Sequence, residues 1–123
     1  MWDGKQKAVT FSYDDGVCQD RRLVDMFNYY HVKATFNINS GMQTYASHYD
    51  FGNVRVHHMN AEGLKELYKG HEIAVHTLTH QDLTKLDKDT VYNEVFLDKQ
   101  NLERMFDCQI TGMAYPYGTY NDE

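Results

Sequence analysis

Basic residues are the minority in this 123-residue chain: 12 Lys and Arg face 18 Asp and Glu, for a formal net charge of −6. A nucleic-acid partner calls for a basic face that displaces counterions from phosphate, and this balance argues against one. It provides no attraction to an anionic membrane surface either. An unbroken apolar run of about 18 residues, the least a membrane-spanning helix needs, occurs nowhere. Cysteine is scarce. Cys18 and Cys108 stand far apart with no second cysteine near either, which excludes a zinc ribbon or a close redox pair. Two buried free thiols are favoured over a disulfide. Met1 to Lys7 is polar, unlike a signal peptide. The chain as it stands therefore reads as cytoplasmic, or as secreted if a leader has been removed. No repeat, linker or low-complexity tract interrupts it, so residues 1–123 are expected to form one domain.

Hydrophobic residues make up 41% and charged residues 24%, a composition that builds a packed core. Residues 8–13 mix β-branched and aromatic side chains and run into Asp14-Asp15-Gly16, a strand ending in a turn. Residues 20–30 carry Leu23, Val24, Met26, Phe27 and Tyr30 at helical spacing. A second strand is expected over 33–39 and a third over 72–76. Between them, residues 42–58 have no clear period and read as a loop. A helix over 61–69 follows Asn60 as N-cap and stops at Gly70. Asp87 caps a long helix to Phe106 with Val91, Val95, Leu102, Met105 and Phe106 as its apolar stripe. A fourth strand is expected over 110–115. The order βαβαβαβ implies parallel strands joined by right-handed crossovers, hence an α/β layered or barrel fold.

Three polar clusters follow strands: Asp14-Asp15 the first, His76 to His80 the third, and Tyr115-Pro116-Tyr117-Gly118 the fourth. The carboxyl ends of parallel strands share one rim, so these distant clusters are expected to converge. His76 and His80 are spaced i, i+4, and one helical turn would put both imidazoles on the same side. Two imidazoles and one carboxylate form a common catalytic zinc set that leaves a position for water. The adjacent carboxylate is then available as a base.

Residues 10–16, TFSYDDG, resemble the first motif of the polysaccharide deacetylases, carbohydrate esterase family 4. Residues 70–80, GHEIAVHTLTH, resemble the second, and Ala114 to Gly118 the third. The resemblance runs from Ala8 to Asn121 in the right order. It implies an incomplete parallel (β/α) barrel of which about four βα units are present. It also implies a divalent metal ion, Zn2+ or else Co2+ or Ni2+, bound by Asp15, His76 and His80. Asp14 would be the general base, and the Tyr117 N–H would help hold the oxyanion. Many family members have Arg at the position of Ala114, steadying the base. The family's later motifs, one of which supplies a His as general acid, would lie beyond Glu123. The expected activity is removal of acetyl groups from a carbohydrate polymer, either an N-acetylglucosamine glycan such as chitin or peptidoglycan, or O-acetyl xylan. The alternative is an inactive metal- or glycan-binding fragment. The expected partners are the acetylated glycan and, through exposed barrel edges, a second copy in a homodimer.

Other histidines receive plainer readings. His57 and His58 read as surface residues of the loop, with substrate contact the lesser alternative. His71, before the third strand, reads as structural. Tyr45, Tyr49 and Phe51 could stack on sugar rings, but pinning the loop to the body is preferred.

Overall fold

The computed structural model describes residues 2–122. Strands β1 (Ser12–Asp14), β2 (Thr35–Ile38) and β5 (Glu72–Val75) form a parallel sheet in the order β1-β2-β5. Helix α1 (Asp20–Tyr29) crosses from β1 to β2. A hairpin of β3 (His48–Phe51) and β4 (Val54–His57) and a short helix α2 (Leu64–Leu67) lie between β2 and β5. The long helix α3 (Lys88–Phe106) follows β5.

The central strands read as continuous buried runs. Phe36, Asn37 and Ile38 of β2 and Ile73, Ala74 and Val75 of β5 are all buried, the pattern of parallel strands covered on both faces. Their register sets Asp14 beside Asn37 and Asn37 beside Ala74. The core gathers around Phe36, whose ring lies 4.5 Å from that of Tyr68. Val24 and Phe27 of α1 and Leu102 and Phe106 of α3 close the two sides.

The expected fourth strand is reduced to one parallel bridge between Val75 and Met113. Val75 N donates to Gly112 O at 3.0 Å, and Ala114 N donates to Val75 O at 2.9 Å. This contact still carries residues 112–114 along the open edge of β5.

Three local expectations are corrected. Residues 42–58 contain the β3–β4 hairpin, paired antiparallel from His48–His57 to Phe51–Val54. Its strands do alternate, with Tyr49, Phe51, Val54 and Val56 on one face and His48, Asp50, Arg55 and His57 on the other, but each is only four residues long and largely exposed. The signal was the Gly52-Asn53 turn. Asn60 does not cap a helix. Its Oδ1 accepts from Tyr45 N at 2.7 Å, and α2 begins only after Gly63. In α3, Asp87 caps as expected, accepting from Thr90 N at 3.0 Å; Leu102 and Phe106 of the expected stripe are buried with Val95 and Met105 packed against the core, and Glu94 and Asp98 join the buried row. Both cysteines are free. Cys18 is half-buried and Cys108 is exposed rather than buried. No helix among the described residues is long and apolar enough to cross a membrane.

Asp20, at the start of α1, is 3% exposed and accepts a 2.6 Å hydrogen bond from the Tyr68 hydroxyl. Burial raises its pKa from 3.8 to about 6, against the pull of that bond. The unfolded chain releases this proton near 3.8, whereas the folded chain keeps it to about 6. Between those values the folded state binds more protons, so this group's contribution to stability falls as pH rises through the window. Urea unfolding of the wild type and of Asp20→Asn at pH 4 and pH 7 should show a smaller pH-dependent loss in the variant, by at most about 3 kcal/mol.

Candidate metal centre

Asp14 ends β1, and the backbone then turns through two successive left-handed residues, Asp15 at φ 76° and Gly16 at φ 67°. The turn is tied down by Asp15 N donating to Asn37 O at 2.9 Å and by Gln43 Nε2 donating to Asp15 O at 2.8 Å. On an extended strand the two carboxylates would point apart. The turn brings both toward one ring: His76 Nε2 lies 3.6 Å from Asp15 Oδ1 and 3.9 Å from Asp14 Oδ2.

His76 leaves β5 fully buried, at 1% exposure. Its Nδ1 lies 2.9 Å from Ala114 O. A carbonyl only accepts, so Nδ1 carries the proton and Nε2 presents its lone pair toward Asp15. His80 Nε2 lies 3.4 Å from the same Asp15 Oδ1. One ligand atom from each of Asp15, His76 and His80 can be chosen so that all lie within 4.8 Å of one another. Asp15 Oδ1 is buried and has no hydrogen-bond partner in the protein. An orphaned carboxylate oxygen facing two imidazoles is the donor chemistry that a divalent cation satisfies. Burial lowers the His80 pKa and Asp15 opposes that shift, so burial favours the neutral, ligating form.

The expected helical turn over residues 76–80 is absent. Thr77 at φ 68° and His80 at φ 55° are both left-handed, and this irregular path, not an i, i+4 helix face, brings the rings together, with centroids 4.9 Å apart. The loop is braced from two sides. Asn39 Nδ2 donates to the carbonyls of His76 and Thr77. From α3, Glu94 accepts from Thr79 N at 2.8 Å and from its hydroxyl at 2.7 Å. One turn later Asp98 accepts from Ser40 N at 2.7 Å and His76 N at 3.1 Å. Burial pushes the Asp98 carboxyl up to about 6 despite these bonds.

Asp14 is oriented by an amide. Asn37 Nδ2 donates to its Oδ1 at 2.7 Å, while Ala114 contributes its backbone carbonyl to His76. Tyr117 stands at φ 58° in the turn Pro116–Gly118, with its ring 4.7 Å from that of His80. Asp15, His80 and Tyr117 border a cleft of about 700 Å³ that His48, Tyr49 and His58 also line. Glu94, Asp98 and Asn37 escaped sequence reasoning because a lone acid on a helix, or an Asn in a strand, reads as a solvated residue. The i, i+4 series back from Phe106 and Leu102 was the available signal for Asp98 and Glu94.

Of the remaining sequence readings, His71 is structural: its Nδ1 accepts from Ala34 N at 3.2 Å. His58 is not a surface residue, being 1% exposed. It is fixed by the bridge to Val17, a pairing that such short hairpin strands gave no means of foreseeing. Phe51 is 77% exposed at the hairpin tip and pins nothing.

A model of the polysaccharide deacetylase family matches residues 3–123. The chain belongs to this family. A chitin deacetylase from Pestalotiopsis sp. is 34% identical over 115 residues, covering 93% of this chain and 35% of that protein. YxkH of Bacillus subtilis is 29% identical over 121 residues, covering 96% of this chain and 39% of that protein. Among solved structures, the Streptococcus pyogenes deacetylase PplD in complex with acetate superposes with a TM-score of 0.80 at 25% identity, covering 97% of this chain and 50% of that one. The chain therefore spans between about a third and a half of the length of these deacetylase relatives, and its parallel sheet is part of the family's (β/α) fold.

In this chain, Asp98→Asn should destabilise the fold at pH 7.5. An amide offers one acceptor oxygen, so either Ser40 N loses its partner or His76 N is left with only its 3.3 Å bond to Ile38 O. A loss of about 1–3 kcal/mol is expected, read from urea unfolding.

Proposed function

We propose that this chain binds one divalent transition-metal ion through Asp15, His76 and His80 and serves the hydrolytic removal of acetyl groups from a carbohydrate polymer. The observation that carries the reading is the buried, unpartnered Asp15 Oδ1 lying 3.6 and 3.4 Å from two imidazole nitrogens. Imidazole and carboxylate donors favour Zn2+, and Co2+ or Ni2+ suit the same set. When bound, such an ion supplies Lewis acidity that polarises an acetyl carbonyl and acidifies water.

Asp14 is the general base of this scheme. Asn37 occupies its Oδ1, leaving Oδ2, on the His76 side, to accept a proton from the attacking water. The Asp14 side chain is 52% exposed, which gives water a path to it. The Tyr117 N–H is the oxyanion donor, with its strained turn holding it at the rim. An acetylated glycan is the substrate class, whether an N-acetylglucosamine polymer or O-acetyl xylan, because amide and ester carbonyls pass through the same tetrahedral geometry. The family membership and the chitin deacetylase relative support this choice.

Two measurements test the scheme. The wild type dialysed against Zn2+ at neutral pH should retain one equivalent by elemental analysis, and His76→Ala should retain none. Retention should also fall in acid as the imidazoles protonate. In a longer form that carries the family's later motifs, Asp14→Asn should keep the metal and release acetate from tetra-N-acetylchitotetraose about 10²–10⁴-fold more slowly than the unsubstituted protein, the usual contribution of a general base. Metal content unchanged by His76→Ala would move the site elsewhere.

A further inference from the structure

His58 is a buried polar group that the scheme above leaves idle. The backbone holds it firmly. His58 N donates to Ser47 O at 3.0 Å, and Met59 N donates to Gly16 O at 2.9 Å. The residue thus lies alongside the turn that carries Asp15. Its side chain is buried, yet its Nδ1 has no hydrogen-bond partner in the protein. The other histidines of the hairpin differ. His48 Nδ1 donates to Ala46 O at 3.0 Å, and His57 Nδ1 donates to Tyr45 O at 2.8 Å. A histidine placed for packing alone would find a similar partner, because an unpaired buried nitrogen costs about 1–3 kcal/mol.

The place where the ring lies suggests what pairs with it. His58 borders the same cleft as Asp15, His80 and Tyr117. Beside it, the Tyr49 ring lies 6.0 Å away at 67°. Tyr49 also lines the cleft and carries a phenol that can donate. His48, with its proton on Nδ1, presents Nε2 as an acceptor. Lys85, a cation of the cleft, is held by Asp82 at 2.9 Å, which leaves it poorly placed to capture an anion. The hairpin wall therefore offers one donor, one acceptor and one imidazole able to act as either. That is the complement of a neutral sugar, whose hydroxyls both donate and accept.

We infer that His58 is a glycan-binding residue, hydrogen-bonding a hydroxyl or acetamido group of a neutral sugar unit seated between the β3–β4 hairpin and Asp15. The inference rests on the deacetylase reading and extends it by assigning the hairpin wall as the surface that recognises the sugar.

The test begins on the unmodified chain loaded with Zn2+. Two-bond ¹H–¹⁵N spectra of the histidine rings are recorded while tetra-N-acetylchitotetraose, and separately acetylated xylotetraose, is added. The His58 ring nitrogens should shift to saturation with at least one of them, while those of exposed His31 stay fixed. His58→Phe should raise the Kd for that sugar about tenfold, the loss of roughly one hydrogen bond, with zinc stoichiometry unchanged. His58→Asn, which keeps a donor and an acceptor, should lose less. Ring signals unmoved at saturating sugar, or a wild-type Kd in His58→Phe, would overturn the role of His58 while leaving the deacetylase reading intact. Should the chain bind zinc but neither sugar, the glycan cleft falls and the metal centre stands. Failure to bind zinc or sugar would remove both readings together.

Discussion

Asp98 is the point on which the arrangement turns. It sits on α3, far along the chain from β2, yet its two oxygens take the backbone N–H of Ser40, just past β2, and of His76, just past β5. One buried carboxylate thereby fixes the exits of two adjacent strands relative to the helix that covers them. Four residues earlier on the same face, Glu94 does the same for Thr79. The lower half of that helix face, Leu102 and Phe106, is ordinary core. The upper half exchanges apolar contact for hydrogen bonding where the chain leaves the sheet and backbone groups would otherwise go unpaired.

The same economy governs the histidines. His76 receives its tautomer from Ala114 O, so the residues after the third and fourth strand positions act as one unit: one supplies the ring and the other its proton acceptor. The carboxylate beside it is steadied by Asn37 from the neighbouring strand, in direct register. An uncharged amide thus orients Asp14, with Asn37 Nδ2 donating to its Oδ1. The absence of an arginine at Ala114 therefore leaves the carboxylate held by a weaker but well-placed donor.

The convergence of Asp14, Asp15, His76 and His80 was legible in the sequence, because alternating strands and helices set them on one rim, and the structure brings these four side chains together. The layered α/β arrangement was equally legible, because Phe36, Ile38, Ile73 and Val75 form dense apolar runs. What stayed hidden depended on distant partners. Asp98 and Glu94 look like surface acids until Ser40, His76 and Thr79 arrive to donate to them. The hairpin does alternate, with Tyr49, Phe51, Val54 and Val56 on one face, but over strands of only four residues, too short to stand out from a loop. His58 looks exposed until the chain beyond β4 is known to pair with Val17. The i, i+4 spacing of His76 and His80 suggested the right neighbours for the wrong geometric reason.

Asp15, Thr77, His80 and Tyr117 all occupy the left-handed region that only glycine enters freely. Each such residue carries strain on the order of 1–3 kcal/mol. All four gather at one end of the sheet, so the molecule has a built-in conflict between durability and chemistry. Glycine would relax the backbone at each of these positions, and at Asp15 and His80 it would also remove a side chain of the proposed metal centre. A laboratory selection for thermal endurance alone would therefore favour changes at this end of the protein first. Its survivors would be sturdier proteins with an emptier rim.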